Sequence, residues 1–128
     1  MSKGESNNER ILVVDDESSI SDLISTSLRF VGFDVRTASN GSQALLVAEE
    51  FKPHAMVLDV MMPGMDGLAV LKALRLTEKH TCAHLPVLML TGQAMDGDHE
   101  RFMALGADGY VSKPVNRDKL DQAIKHLE

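Results

Sequence analysis

AMVLDVMMPGMDGLAVLKAL, residues 55–74, holds a complete strand–loop–helix unit. AMVLD (55–59) is short and apolar and ends on a carboxylate. MMPGM (61–65) brings Pro and Gly together, which breaks regular structure. Asp66 can cap the segment that follows, where Leu68, Leu71 and Leu74 recur at helical spacing.

The same unit recurs on either side. ILVV (11–14) is a second apolar run, followed by Ile20, Leu23, Ile24, Leu28 and Val31 recurring at helical spacing, with Gly32 as the stop. DVRTA (34–38) is a weaker strand with the character of a sheet edge. NGSQ (40–43) has the Asn-x-x-Gln pattern of a helix start, and the helix through Ala44, Leu45 and Ala48 stops before Pro53. Downstream, TEKHTCAH (77–84) reads as a polar connection and PVLML (86–90) as a buried strand. A helix from about Asp98 to Leu105 ends at Gly106, GYVS (109–112) is a fifth strand, and Asn116 caps a last helix with Leu120, Ile124 and Leu127 on one face. Five alternations of strand and helix predict an α/β fold, with a parallel sheet, right-handed crossovers and helices on both faces.

Residues 1–9 are polar and read as a disordered tail, leaving 10–128 as one domain with no second domain after it. The chain of 128 residues has a net charge of −6, which argues against nucleic acid or an anionic membrane as its own main partner. Cys82 is the single cysteine, so no intrachain disulfide can form, in keeping with a reducing compartment. The N-terminus has no apolar signal region, and the longest apolar run, LPVLML (85–90), falls far short of the roughly 18 residues needed to span a bilayer. These features predict a cytoplasmic protein.

In open parallel sheets, ligands bind beyond the carboxyl ends of the strands. Asp15, Asp16 and Glu17 follow the first strand, Asp59 ends the third, Thr91 and Gly92 follow the fourth, and Lys113 and Pro114 follow the fifth. Hard divalent cations take carboxylate oxygens, so Asp16 and Asp59 suit Mg²⁺, with Asp15 direct or through water. Lys113 and the Thr91 hydroxyl suit the oxygens of a phosphoryl group. A carboxylate beside a metal can attack phosphorus and form an acyl phosphate. Each residue alone has a plainer reading: a solvated strand end or helix cap for the acids, a surface lysine, an ordinary strand-end threonine. Five such residues at one sheet edge are harder to explain that way.

VVDDE (13–17), LDVMMPGMDG (58–67), LTG (90–92) and GADGYVSKP (106–114), in this order on successive strand ends, resemble a response-regulator receiver domain of two-component signalling, over residues 10–128. The resemblance implies a flavodoxin-like (βα)₅ three-layer sandwich of strand order 2-1-3-4-5. It implies Asp59 as phosphoacceptor, and Asp15, Asp16, Asp59 and the backbone carbonyl of Met61 as ligands of Mg²⁺, with Mn²⁺ as a substitute. Thr91 would bind a phosphoryl oxygen and swing toward it, with Tyr110 as the aromatic switch. Lys113 would pair with Asp59 and later with the phosphoryl group, and the Lys113–Pro114 peptide would be cis. The donor would be a sensor histidine kinase or histidine phosphotransfer protein. The signal would go to a protein target on the face of the fourth helix, fifth strand and fifth helix, from a monomer or a phosphorylation-dependent dimer. Such a domain assists its own phosphorylation and dephosphorylation without being a turnover enzyme. Gly92 stands where the family commonly has Ala, and Val115 where Phe is common. Met61 and Gln93 occupy positions that tune acyl-phosphate lifetime.

Other readings are a phosphorylation-independent pseudo-receiver, a receiver excised from a larger regulator, an aspartyl-nucleophile phosphatase and a flavin-binding protein. The phosphatase type places a second Asp where this chain has Met61, and acids in the first loop would repel a flavin phosphate. His80, Cys82 and His84 form H-x-C-x-H, but no fourth zinc ligand is evident nearby, and a solvated loop is the simpler reading. His54, His99 and His126 have no partner evident in the sequence.

Overall fold

In a computed structural model, residues 9–81, 84–92 and 97–127 are described. Strands β1 (Arg10–Val14), β2 (Asp34–Ala38), β3 (Ala55–Asp59), β4 (Val87–Thr91) and β5 (Gly109–Ser112) alternate with helices α1 (Ser18–Val31), α2 (Gly41–Phe51), α3 (Gly67–Thr81), α4 (Asp98–Ala104) and α5 (Arg117–Leu127). All pairings are parallel and the sheet order is β2-β1-β3-β4-β5. Alternate strand residues feed two cores. Leu12, Val14, Met56, Leu58, Val87 and Met89 pack with residues of α2, α3 and α4. Ile11, Val13, Val57, Leu88, Leu90 and Val111 pack on the other face with Ile24 and Leu28 of α1 and Leu120 and Ile124 of α5. Val115 joins this second core, so the smaller side chain still fills a place beneath α5.

The helix ends follow local chemistry. Asn40 Oδ1 accepts from the Gln43 N–H at 2.8 Å, while Gln43 Oε1 accepts from the Ser39 N–H at 2.7 Å, which makes a capping box displaced by one residue. Asp66 Oδ1 caps the Ala69 N–H at 2.9 Å, and Asn116 Oδ1 caps that of Lys119 at 2.9 Å. Gly32, at φ 111°, closes α1 in the left-handed region. The Arg10 guanidinium donates to the Phe51 and Lys52 carbonyls at the end of α2, where a positive charge favours the helix dipole. Asp34 N–H donates to the Glu9 carbonyl at 3.0 Å; residues 1–8 of the expected tail lie outside the described residues. No helix among the described residues is long and apolar enough to cross a membrane.

One expectation fails. The polar segment 77–84 is not a connection from its start, because α3 runs on to Thr81. Of the side chains described there, Thr77 is exposed and Glu78 half-buried. Thr77 Oγ1 returns to the Ala73 carbonyl at 3.1 Å, and Arg75 pairs with Glu78 one turn on at 2.7 Å. Nor does His84 simply face solvent: its Nε2 lies 2.8 Å from Asp108 Oδ1 and its Nδ1 3.5 Å from Glu78 Oε1. Cys82 lies outside the described residues, as do the side chains of His80, His99 and His126. His54 also has a partner, since its Nδ1 accepts from the Arg10 N–H at 2.9 Å.

Arg75 ties the amino-terminal ends of β4 and β5 to α3. Its guanidinium donates to the Gly106 carbonyl from two nitrogens, to the Leu85 carbonyl, and to the carboxylates of Glu78 and Asp108. Those carboxylates in turn accept the N–H groups of Leu85 and Val87. A planar fork meets this geometry and an ammonium does not. Replacing Arg75 with Leu leaves the Gly106 and Leu85 carbonyls and the Glu78 and Asp108 carboxylates without their donor and should lower unfolding free energy by about 2 kcal/mol in urea titrations. Arg75→Lys should recover less than half of that; full recovery would mean charge alone suffices. Conversely, the buried Ser25 hydroxyl in α1 has no hydrogen-bond partner. Ser25→Ala should raise the stability by about 1 kcal/mol in the same assay.

Candidate functional site

Strand register places the site. Val14 pairs with Leu58, Asp59 with Leu90, and Thr91 with Ser112. Each strand therefore presents its polar residue one step beyond its neighbour's last pair, and Asp15, Asp59, Thr91 and Lys113 meet at one edge. Asp15, Asp59 and Thr91 are all buried, whereas Asp16 is exposed. One carboxylate oxygen from each of Asp15, Asp16 and Asp59 lies within 4.8 Å of the others.

Lys113 Nζ stands 3.2 Å from Asp15 Oδ2 and 3.3 Å from Asp59 Oδ1, so one cation serves two buried anions. The contact with Asp15 is an ion pair only, and the buried Oδ2 has no hydrogen bond. The other oxygen, Oδ1, accepts from the Glu17 N–H at 2.9 Å. Glu17 occupies the cap position of α1, and its side chain makes no capping bond. Met61 N–H donates to Asp59 Oδ1 at 3.3 Å, near the limit of a useful bond.

Burial, then repulsion from Asp15, pushes the Asp59 carboxyl up from 3.8 to about 6, against the opposing pull of Lys113 and the Met61 N–H. Burial alone would lower the Lys113 ammonium. Asp59 and Asp15 together outweigh it and hold its pKa above the ordinary lysine value. The pair of anions is thus under-compensated. An oxygen-seeking divalent cation suits the donor set: two buried carboxylates that share one ammonium, and an exposed third that opens the cluster to solvent.

Thr91 closes the third side. Its carbonyl accepts the Lys113 N–H at 2.7 Å, which carries β5 into the Lys113–Pro114 peptide, a cis bond. A side chain added at Gly92 would meet nothing within 4 Å, so Ala would fit there as well. Tyr110, half-buried, packs edge-on against Phe102 of α4, with ring centroids 6.1 Å apart and planes at 65°. Met61 is 74% exposed at the rim. Gln93 lies outside the described residues.

Sequence reasoning missed three contributors. Phe102 is the ring that Tyr110 rests on, and its helical position carries no signal beyond apolarity. Gly67 reads as a turn residue, yet a Cβ there would collide with the Asp59 carbonyl oxygen, so the start of α3 presses on the end of β3. Gly41 would likewise meet Met65 at 2.8 Å. The Asp-Gly and Asn-Gly dipeptides hint at tight backbone but not at what it touches.

Residues 11–125 match the family model of the response regulator receiver domain. Among curated relatives, the alkaline phosphatase synthesis transcriptional regulatory protein PhoP of Bacillus subtilis is 43% identical over 94% of this chain and 48% of its own length. A probable transcriptional regulator, ycf27, of Pyropia yezoensis is 42% identical over 96% of this chain and 49% of its own. This chain therefore spans about half the length of these relatives. Among solved structures, chemotaxis protein CheY4 of Vibrio cholerae superposes with a TM-score of 0.87 at 31% identity, covering 94% of this chain and 99% of that one. With parallel strands in the order 2-1-3-4-5 and acids, threonine and lysine gathered at their carboxyl ends, this chain belongs to the response regulator receiver family, a signalling domain of two-component systems.

Proposed function

We propose that Asp59 is the phosphoacceptor of this receiver. The observation that carries this reading is the Asp15–Asp59–Lys113 cluster, in which a buried carboxylate has a cation on one side and an under-compensated anion on the other. The donor is a phosphohistidine of a sensor kinase or phosphotransfer protein. An Asp59 oxygen bonds to phosphorus as the P–N bond breaks, and the electron pair leaves on the imidazole nitrogen, which takes a proton. Asp15, Asp16 and Asp59, with the Met61 carbonyl, would hold Mg²⁺ or Mn²⁺. That ion, when bound, offsets the repulsion between anionic nucleophile and anionic donor.

Lys113 then moves its pairing from the carboxylate to a phosphoryl oxygen, and Thr91 donates its hydroxyl to another. The added charge, about −1.5 to −2, biases the position of Thr91 and with it Tyr110. Because Tyr110 rests on Phe102, that change reaches α4, β5 and α5, which make the surface for a protein target. The domain assists its own phosphorylation and hydrolysis and turns over no foreign substrate. We place it in the cytoplasm, where the kinase's phosphohistidine is accessible. The relatives named as transcriptional regulators are about twice as long, which keeps a receiver within a larger regulator as the second reading.

Incubation with acetyl phosphate and Mg²⁺ should add one base-labile phosphoryl mass, and the same incubation in EDTA should add none. Labelling that survives Asp59→Asn would sink the assignment. Stability without metal should follow the raised Asp59 pKa. The folded state binds the proton more tightly than the unfolded chain, so unfolding free energy should fall as pH rises from about 4 to about 6. In EDTA, Asp59→Asn should flatten that slope and leave the protein on the order of 2 kcal/mol more stable at pH 7. An unchanged slope would show that Asp59 is not the group under strain.

A further inference from the structure

We propose that Gly41 is a positioning residue for the phosphorylation site: by admitting Met65 against the backbone of α2, it sets the loop that carries Met61 and so the cation affinity of the aspartate cluster. The proposal rests on the phosphoacceptor reading of Asp59.

Gly41 is the first residue of α2 and is buried. A Cβ there would lie 2.8 Å from the Met65 Cβ, Cγ and carbonyl oxygen. The Cγ can rotate away, but the Cβ and the carbonyl are fixed to the chain, so one of the two backbones has to move. The start of α2 is the stiffer partner. Its first turn carries both bonds of the capping box and the Ala44 N–H to Asn40 carbonyl bond at 2.9 Å, and Ala44 is wholly buried in the core. The displacement therefore falls on the β3–α3 loop.

That loop is closed on itself. Gly67 N–H donates to the Val60 carbonyl at 3.0 Å, and Gly67 has no room to shift toward the Asp59 carbonyl. Met62 is anchored in the core and Asp66 in its cap. A push at Met65 has two outlets: rotation at Gly64, which already sits at φ 78°, or movement of Met61. The Met61 N–H to Asp59 bond, at 3.3 Å, is the longest of those holding the loop and yields first. When it yields, Asp59 Oδ1 loses one of its two contacts and keeps the Lys113 ammonium. Groups that orient metal ligands typically change affinity by about 10–100-fold.

The test compares thermal midpoints in EDTA and across a Mg²⁺ titration for the wild type, Gly41→Ala, Met65→Gly, the double variant, and Leu46→Ala on the exposed side of α2. Gly41→Ala should raise by about tenfold the Mg²⁺ concentration that gives a set rise in midpoint over the value in EDTA. The double variant, which keeps only the contact with the Met65 carbonyl, should recover part of that change relative to Met65→Gly, and Leu46→Ala should match the wild type. If Gly41→Ala lowers the midpoint in EDTA yet leaves the Mg²⁺ titration unmoved, Gly64 absorbs the strain and Gly41 is structural only. If Gly41→Ala does not fold, the double variant against Met65→Gly decides, and an equal Mg²⁺ response overturns the proposal. A wild type that neither responds to Mg²⁺ nor labels at Asp59 overturns the phosphoacceptor reading, and this proposal with it.

Discussion

Two carboxylates, Asp15 and Asp59, are buried side by side at the ends of adjacent strands, with the ammonium of Lys113 between them. Burying like charges is costly, and one cation balances only one of the two anions. A fold built for stability alone would place apolar or solvated residues here. The sheet imposes the encounter instead. Parallel pairing fixes Asp15 level with Asp59, and the step of register across β3, β4 and β5 brings Lys113 within reach of both. The strain is local and is held in place by the apolar strand residues beneath it, which are almost wholly buried on both faces. Removing that frame would let the acids part and turn to water.

The loop after β3 meets a second constraint, which is steric. Its two ends converge on Asp59, through the Met61 N–H and through the backbone of Gly67. A side chain at Gly67 would push on the very residue that ends the strand. The electrostatic cluster and the tight loop are therefore one unit. The charges set what binds, and the close backbone contacts set where the charged oxygens stand.

The fold was legible because its signals are periodic and repeated. Five apolar runs, each followed by a helical face, admit few arrangements, and the caps at Asn40, Asp66 and Asn116 act through local bonds that local sequence encodes. The acids, Thr91 and Lys113 were legible because strand ends in a parallel sheet converge whatever the loops do. What stayed hidden depends on contacts distant in sequence. Arg75 gives no sign that it will grip residues about 30 positions away at the start of β5. Segment 77–81 misled because a polar helix face and a polar loop have the same composition.

The two ends of the sheet are also held differently, and this bears on how a change at Asp59 travels. At the amino ends of β4 and β5, Arg75, Glu78, Asp108 and His84 cross-link three elements with charge-assisted bonds. At the carboxyl ends, the same strands are joined by the Lys113 N–H to Thr91 carbonyl bond and by the shared Lys113 ammonium. The ammonium pairing is the one that a phosphoryl group would exchange. A strand clamped at one end and re-paired at the other can pivot but cannot slide. Between those two ends, Tyr110 of β5 is half-buried and touches α4 edge-on through Phe102. On the proposed phosphorylation of Asp59, a rigid far end would turn a small movement at the site into a change in how α4 lies on β5.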